Sequence, residues 1–432
     1  MKHTERVKEE SRRVLLIGVA ADARERNELT EHLEELKTLT GTLGYNIVDT
    51  IEIKVNEIKA SHYIGKGKVE ELKESIDALD IDEIIFDVEL SPSQNKNLSN
   101  KFEKKVNDRT GIILDIFARH ARTREAKTQV ELARSEYVLP RLTKMWTHLE
   151  RQTGGIGIRG GMGETQIEID RRITRTKIQK LKKELEKIEQ QHNLQKQRRK
   201  DEINIALVGY TNAGKSTLMK ALTDSEVYIK DELFATLDTT IRKWQVDKKN
   251  IVLLSDTVGF IRKMPPNLAA SFRTTLSEVV DADLILKVAD LGSDQCFKQM
   301  DAVDEVLMDL KAIEKPSITV FNKIDKMDKT QLLRAKQQFP DAVFVSALNN
   351  LKIHELKNKI LEFLENYKVE LHLNIPVARM AEIVELKKFA VIIKEHYEGE
   401  NAHINCVMEK PKWNRLEGLF KQYIQPEENN TM

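Results

Sequence analysis

The segment GYTNAGKST at residues 209–217 restricts the possible folds of this chain more than any other. It follows the apolar run INIALVGY, which is typical of a buried strand, and it precedes TLMKALTD, which has helical spacing. It matches the pattern GxxxxGK[ST], in which backbone N–H groups surround phosphates at the start of a helix. The sequence therefore predicts a strand, a phosphate-binding loop and a helix, in which Lys215 reaches the β- and γ-phosphates and Ser216 binds Mg²⁺.

Two further motifs follow in the order that such a site requires. LLSDTVGF is an apolar strand ending in Asp256, which is suited to hold the metal through water, and Gly259 after it can sense the γ-phosphate through its amide. TVFNKID places Asn322, Lys323 and Asp325 just after another apolar strand. The Asp325 carboxylate can accept hydrogen bonds from N1–H and the exocyclic amine of guanine, whereas adenine offers no such donor pair. The motifs together predict a GTPase domain.

Other positions complete the predicted nucleotide site. A threonine of LFATLDTT is expected to close over Mg²⁺ and the γ-phosphate, with Thr236 preferred to Thr239 and Thr240. Where Ras-like proteins have a glutamine that orients the attacking water, this chain has Phe260, so slow intrinsic hydrolysis is predicted and the catalytic group is left unassigned. The predicted nucleotide-binding residues are Gly209, Tyr210, Thr211, Asn212, Ala213, Gly214, Lys215, Ser216, Thr217, Phe234, Ala235, Thr236, Leu237, Asp256, Thr257, Val258, Gly259, Asn322, Lys323, Asp325, Ser346, Ala347 and Leu348, with Ser216, Thr236 and, through water, Asp256 at the metal.

Charge is distributed unevenly along the chain. Residues 118–200 contain 21 Lys/Arg against 10 Asp/Glu, a net charge of +11, while the whole chain has a net charge of +1. A basic segment of this kind suits a polyanion, because Lys and Arg contacts to phosphates supply most sequence-independent nucleic-acid affinity. A solvated helical surface is the alternative, since basic helix faces are common.

Helical periodicity and glycine content define this basic segment further. Ala126, Val130, Ala133 and Tyr137 mark a helix from about residue 118, and a second helix from about 165 to 200 has Ile178, Leu181, Leu185 and Ile188 as a coiled-coil-like seam. Between them, residues 154–163 contain six of the chain's 18 glycines. We predict an antiparallel hairpin whose glycine tip approaches another surface closely; a flexible connector is the alternative. The predicted RNA-binding residues are Gly154, Gly155, Gly157, Arg159, Gly160, Gly161, Gly163, Arg171, Arg172 and Arg175.

Alternating strand and helix patterns predict an α/β fold with four regions. These are an N-terminal parallel α/β domain (1–117), the basic helical hairpin (118–200), a P-loop GTPase domain (201–366) and a small C-terminal α+β domain (367–432). The run VLLIGVAA near the start is too short to span a bilayer and has no cleavage site behind it, so no signal peptide or membrane span is expected. The two cysteines, Cys296 and Cys406, are too far apart for a CxxC motif, which fits a reducing cytoplasm.

The motifs resemble those of the HflX family of translation-associated GTPases. The resemblance rests on GYTNAGKST, FATLD, DTVGF and NKID, together with DRTGIILDIFARHARTREAKTQVELA at 108–133 and the glycine segment. It implies a monomer that binds the large ribosomal subunit and ribosomal RNA, directs the glycine loop toward the peptidyl-transferase centre and separates idle or stalled ribosomes under stress. Asn212 resembles the asparagine that helps to bind an activating K⁺ in related GTPases, which implies K⁺ as a second cofactor beside Mg²⁺.

The sequence differs from the family pattern at two places, and it leaves open an alternative function and an alternative nucleotide site. RGGMGETQ stands where the family usually has RGPGETQ, and Thr239 stands where proline usually follows ATLD. The chain could instead be a regulatory switch that binds a protein effector through the hairpin, and steep salt dependence would distinguish RNA binding from that function. A second nucleotide site at YIGKGK, residues 63–68, is disfavoured because the segment is too short for a phosphate loop.

Overall fold

The computed structural model describes residues 11–142, 162–197, 199, 202–223, 234, 237, 239–248, 250–262 and 273–425. These residues form two compact units. The first comprises the described parts of Met1–Ile188, Lys230–Asp238 and Arg262–Thr275, and the second those of Glu189–Ile229, Thr239–Ile261 and Leu276–Met432. Two short segments of the predicted range 201–366 therefore belong to the first unit.

A four-stranded parallel sheet begins the first unit, in the strand order β2-β1-β3-β4. Its central strands are apolar on both faces, as a parallel sheet covered by helices requires. The small parallel α/β fold expected from the sequence is confirmed. The strands are β1 (Arg13–Ala20), β2 (Asn46–Lys54), β3 (Glu83–Phe86) and β4 (Lys105–Asp108), and the helices are α1 (Ala23–Thr42), α2 (Lys66–Ala78), α3 (Pro92–Phe102) and α4 (Arg109–His120).

Asp108 and Arg109, which begin the DRTG sequence, are buried at the start of α4. Asp108 caps the helix by accepting from the Gly111 backbone N–H at 2.9 Å, and it also accepts from the Tyr137 hydroxyl at 2.8 Å. Arg109 forms ion pairs with Asp87 at 2.9 Å and with Glu35 at 2.7 Å. The buried charges are thus paired, as their loss of hydration requires.

Two helices follow α4: α5 (Arg124–Val138) and α6 (Met162–Gln197). The first was expected from about residue 118, but α4 continues to residue 120, and α5 starts only after Thr123, whose hydroxyl accepts from the Ala126 N–H at 3.1 Å. Gly163 falls within α6.

Ion pairs join α5 to α6, as a helical hairpin requires. They link Arg124 to Glu184 at 2.7 Å, Lys177 to Glu131 at 2.6 Å and Lys182 to Glu136 at 2.8 Å. Leu181 of the predicted seam is buried at 8% exposure, and the other three seam residues are half-buried. The glycine tip at 154–161 lies outside the described residues.

A six-stranded sheet dominates the second unit, in the order β10-β9-β8-β5-β7-β6, and only β6 is antiparallel to its neighbour. Its strands are β5 (Ile203–Gly209), β6 (Thr240–Gln245), β7 (Ile251–Asp256), β8 (Leu284–Asp290), β9 (Ser317–Asn322) and β10 (Val343–Phe344). Its helices are α7 (Lys215–Thr223), α8 (Arg273–Asp281), α9 (Cys296–Asp309), α10 (Lys329–Gln338) and α11 (Ile353–Asn366).

A three-stranded antiparallel sheet ends the chain, in the order β11-β13-β12. Alternate residues of β13 are buried, which is typical of a sheet with one face on a core and one face open. The α+β fold expected for this region is confirmed by β11 (Lys368–Pro376), α12 (Met380–Phe389), β12 (Val391–Glu398), β13 (Asn401–Glu409) and α13 (Lys410–Phe420). None of the described helices is long and apolar enough for a membrane span.

Candidate nucleotide site

The sequence motifs of the second unit meet at one edge of its six-stranded sheet. GYTNAGKST follows β5, DTVGF begins at the end of β7, and NKID begins at the end of β9. These three strands run parallel, so their carboxyl ends share one edge, which is where open α/β sheets bind ligands. Gly209 is required there, because a Cβ at this position would lie 2.1 Å from the backbone oxygen of Val288.

Lys215 is turned back into the phosphate-binding loop. Its Nζ donates to the backbone oxygens of Gly209 at 3.0 Å and Tyr210 at 2.9 Å, and the residue is buried. Burial lowers the pKa of Lys215 to about 8, and the nearby Asp256 carboxylate opposes that shift. A buried cation surrounded mainly by carbonyl dipoles is suited to receive an anionic ligand.

Ser216 and Asp256 place two side-chain oxygen atoms side by side. The Ser216 hydroxyl donates to Oδ2 of Asp256 at 2.6 Å. Nearby, Oγ1 of Thr211 is buried and has no hydrogen-bond partner among the described residues. Gly259 lies against the loop so closely that a Cβ would be 3.0 Å from Nζ of Lys215 and 2.8 Å from Cα of Thr211. These contacts bring hydroxyl, carboxylate and ammonium groups together at the start of α7.

Asn322 and Lys323 tie the NKID segment to the phosphate-binding loop. Nδ2 of Asn322 donates to the Ala213 oxygen at 2.9 Å, and Oδ1 of Asn322 accepts from the Ala347 N–H at 3.0 Å. Nζ of Lys323 donates to the Asn212 oxygen at 2.7 Å. These hydrogen bonds fix the phosphate-binding loop, the NKID segment and the loop at Ala347 relative to one another. Asn322 and Lys323 are therefore positioning residues.

Asp325 presents a carboxylate that is available to a ligand. It is exposed, and within the described residues it makes no hydrogen bond or ion pair. Ser346, whose backbone N–H donates to the Leu351 oxygen at 3.1 Å, is buried, while Leu348 is 76% exposed. An exposed apolar side chain suits the face of a purine base, and a carboxylate without a partner suits its edge.

The DTVGF and FATLD segments differ in their surroundings. Phe260 is 1% exposed and belongs to an apolar cluster that includes Leu276 and Ile285, so its ring is a core group. In the first unit, Phe234 packs edge-on against Phe117 with ring centroids 4.6 Å apart, and Leu237 is also buried. The remaining two predicted residues of this segment, Ala235 and Thr236, lie outside the described residues.

Comparison with known proteins identifies the family. A model described as GTP-binding GTPase N-terminal matches residues 30–118, one described as GTP-binding GTPase Middle Region matches 120–199, and one described as 50S ribosome-binding GTPase matches 204–323. The GTPase HflX of Caldanaerobacter subterraneus is 40% identical over 93% of this chain and 92% of its own length. The chain belongs to the HflX family of GTPases. The HflX of Flavobacterium psychrophilum is 44% identical over 81% of this chain and 90% of its own length.

A crystal structure of SsGBP with GDP covers 82% of this chain and 98% of that protein, at 25% identity and a TM-score of 0.44. As a member of the HflX family, the chain binds guanine nucleotide and hydrolyses GTP.

Two positioning groups of this HflX chain were not identified from its sequence. Asp290, at the end of β8, pairs with Lys323 at 2.9 Å and so orients the lysine that crosses to Asn212. Its signal was available, since KVAD ends an apolar strand in an aspartate as LLSD does. The backbone of Phe260 also pairs with the phosphate-binding loop, because its N–H donates to the Gly209 oxygen at 3.1 Å and its oxygen accepts from the Thr211 N–H at 2.8 Å. No sequence pattern reports such a contact.

Proposed function

We propose that this GTPase associates with the large ribosomal subunit and separates or rescues idle or stalled ribosomes under stress. The family match at residues 204–323, to a model described as 50S ribosome-binding GTPase, supports that partner. The structural observation that carries the proposal is the charge on α6. Arg171, Arg172 and Arg175 make no ion pair among the described residues, whereas Lys177 and Lys182 of the same helix are paired with α5.

Unpaired arginines on a long helix suit ribosomal RNA. A guanidinium that is not engaged in the fold can take a phosphate through two parallel hydrogen bonds without first breaking an internal ion pair. The glycine segment between residues 154 and 163 is proposed to enter narrow RNA at the end of this basic arm, where a Cβ would collide. Ribosomes as the partner imply the cytoplasm as the site of action, and we propose that the chain acts there as a monomer.

At the proposed nucleotide site, each motif receives a role. The N–H groups of residues 209–217 take the phosphates, and Lys215 exchanges its two carbonyl contacts for the β- and γ-phosphates. Gly259 lies close enough to Lys215 for its amide to sense the γ-phosphate. Asp325 accepts from guanine, and residues 346–348 support the base.

The residues at this site fit Mg²⁺. A hydroxyl and a carboxylate 2.6 Å apart are the hard oxygen ligands that Mg²⁺ takes. We assign the metal to Ser216 directly and to Asp256 through water, with Thr236 added in the GTP form. The ion would neutralise charge on the β- and γ-phosphates. K⁺ is assigned to the exposed Asn212.

Slow hydrolysis without the ribosome follows from the position of Phe260. Its ring is held in the apolar cluster and has no group that can orient water. An activating partner or K⁺ must therefore complete the site, so hydrolysis should rise when large ribosomal subunits or K⁺ are added.

The test measures phosphate release from GTP by the full chain alone, with purified large subunits and with purified small subunits, in K⁺ and in Na⁺ buffer. The proposal predicts slow release by the chain alone in Na⁺ buffer and faster release with K⁺ or with large subunits, but not with small subunits. The Lys215→Ala variant is measured under every one of these conditions. Any phosphate that it releases comes from contaminating ribosomal factors. Fast release by the free chain in Na⁺, unchanged by large subunits or K⁺, would overturn the proposal.

A further inference from the structure

Two histidines and a glutamate meet on the open face of the C-terminal sheet. His396 of β12 lies directly opposite His403 of β13, and their rings are stacked with centroids 4.8 Å apart and an interplanar angle of 12°. Glu398 lies two residues after His396, and side chains at that spacing point to the same face of a strand. One ligand atom from each of these three side chains lies within 4.8 Å of the other two.

The ligand types on this face select a class of metal. Imidazole nitrogen and carboxylate oxygen suit Zn²⁺ and neighbouring divalent transition metals, with Zn–N and Zn–O bonds of about 2.0–2.2 Å. The nearby thiol of Cys406 does not compete, because it is buried within the apolar cluster on the opposite face of β13. Three protein ligands on an open face also leave a fourth position for water or another molecule.

The side chains can close around such an ion with small movements. Tetrahedral coordination needs ligand atoms about 3.4 Å apart for bonds of about 2.05 Å. His396 and Glu398 are exposed, so rotation of these side chains can shorten the 4.8 Å separation without moving the strands. The turn between the two strands contains Gly399 at a φ of +59°, which fixes the register that sets the histidines opposite each other.

A buried oxygen lies on the third strand beside His403. Asn374 of β11 is the register partner of His403, and its Oδ1 is buried with no hydrogen-bond partner among the described residues. Directly opposed residues of antiparallel strands have Cβ atoms about 4.5–5.5 Å apart, within hydrogen-bonding reach for these side chains. A metal-bound imidazole carries N–H on its other nitrogen and usually donates it to such an oxygen.

We propose that His396, His403 and Glu398 form a Zn²⁺-binding site, oriented through His403 by Asn374. The metal joins the edge strand β12 to the central strand β13 close to their turn. The site is separate from the proposed nucleotide site in both its residues and its metal class, because it offers imidazole where Mg²⁺ requires oxygen.

The test titrates untagged, nucleotide-free full chain with Zn²⁺ in excess Mg²⁺, which occupies oxygen-only sites, and counts bound zinc by equilibrium dialysis. The wild type is expected to bind one Zn²⁺ more tightly, by at least about tenfold, than His396→Gln or His403→Gln. Glu398→Gln is expected to weaken binding in the same direction. His372→Gln is the matched control, since His372 lies on β11 outside the cluster and its loss should leave zinc binding unchanged.

Two measurements establish that the variants are folded. Thermal unfolding without metal and GTP binding should match the wild type, because the altered side chains are on the surface hairpin. Wild-type chain that binds no Zn²⁺, or His396→Gln and His403→Gln chains that bind it as the wild type does, would overturn the proposal. Equal loss in His372→Gln would also overturn it.

Discussion

Asp325 should determine nucleotide selectivity, since its carboxylate is exposed and has no partner within the described residues. In Asp325→Asn an amide replaces the acceptor for the two guanine donors, so GTP binding should weaken by about 2 kcal/mol. Xanthosine triphosphate has a carbonyl where guanine has its amine, and it should bind the variant better than GTP does. Competition titrations with both nucleotides provide the measurement. Unchanged GTP affinity would remove Asp325 from the site.

The pKa of Lys215 leads to a prediction about stability and pH. The pKa is lowered to about 8 in the folded chain from 10.5, so between those values the unfolded chain binds more protons and the free energy of unfolding rises with pH. Below pH 8 the folded chain carries the full cost of burying the charged Lys215 ammonium. As the pH rises to about 10.5 this cost disappears, and the free energy of unfolding increases by about 3 kcal/mol. Wild-type chain without nucleotide should therefore gain stability relative to Lys215→Met over this range. Parallel urea titrations of both chains at several pH values would measure the difference, and a constant difference would contradict the buried ammonium.

At the scale of the elements, Phe234 anchors a segment of the predicted GTPase range to α4. It is 2% exposed and packs edge-on against Phe117. Phe234→Ala should lower the free energy of unfolding of the first unit by about 3–5 kcal/mol through the cavity that it leaves. Ile58→Ala is the control, because Ile58 also belongs to the first unit but is 46% exposed, so its loss should cost much less. Denaturant midpoints that are equal for the two variants would argue against the anchor.

Helix α6 supports a prediction about salt dependence. Replacing Arg171, Arg172 and Arg175 by glutamine should weaken binding to large ribosomal subunits and reduce the slope of log affinity against log salt by about 2–3, if each arginine meets one phosphate. Glutamine at Lys177 and Lys182 should change the slope less, since these lysines are engaged with Glu131 and Glu136. Binding measured over a salt series gives both slopes. The same slope for the arginine variant and the wild type would exclude these phosphate contacts.

These elements also show what sequence can predict. Apolar runs predicted strands of the four-stranded and six-stranded sheets, helical periodicity predicted α6, and the motifs predicted the loops at the strand ends, because those signals are local. The start of α5 was misplaced because the Thr123 cap is a short signal inside a charged run. Sequence patterns could not predict the hydrogen bonds of Lys215 to carbonyl oxygens or the packing of Phe234 on Phe117. No periodic pattern relates the residues that are in contact there.

For the whole molecule, the division into two units does not follow chain order. The described parts of Lys230–Asp238 and Arg262–Thr275 belong to the first unit, although they adjoin β6 and β7 of the second. Arg262 illustrates this, since its backbone oxygen accepts from Arg109 at 3.3 Å and its guanidinium lies 3.7 Å from Glu31. Chain order alone therefore does not predict which unit a segment of the GTPase range belongs to.

We propose that the full chain binds the large ribosomal subunit in its GTP form. Sedimentation of purified large subunits with the chain and a non-hydrolysable GTP analogue, GDP or no nucleotide tests it most directly. The chain should pellet with the subunits in the presence of the analogue, much less of it should pellet with GDP, and rising salt should release it. Pelleting that is equal in all three nucleotide states, or absent with the analogue at low salt, would contradict it.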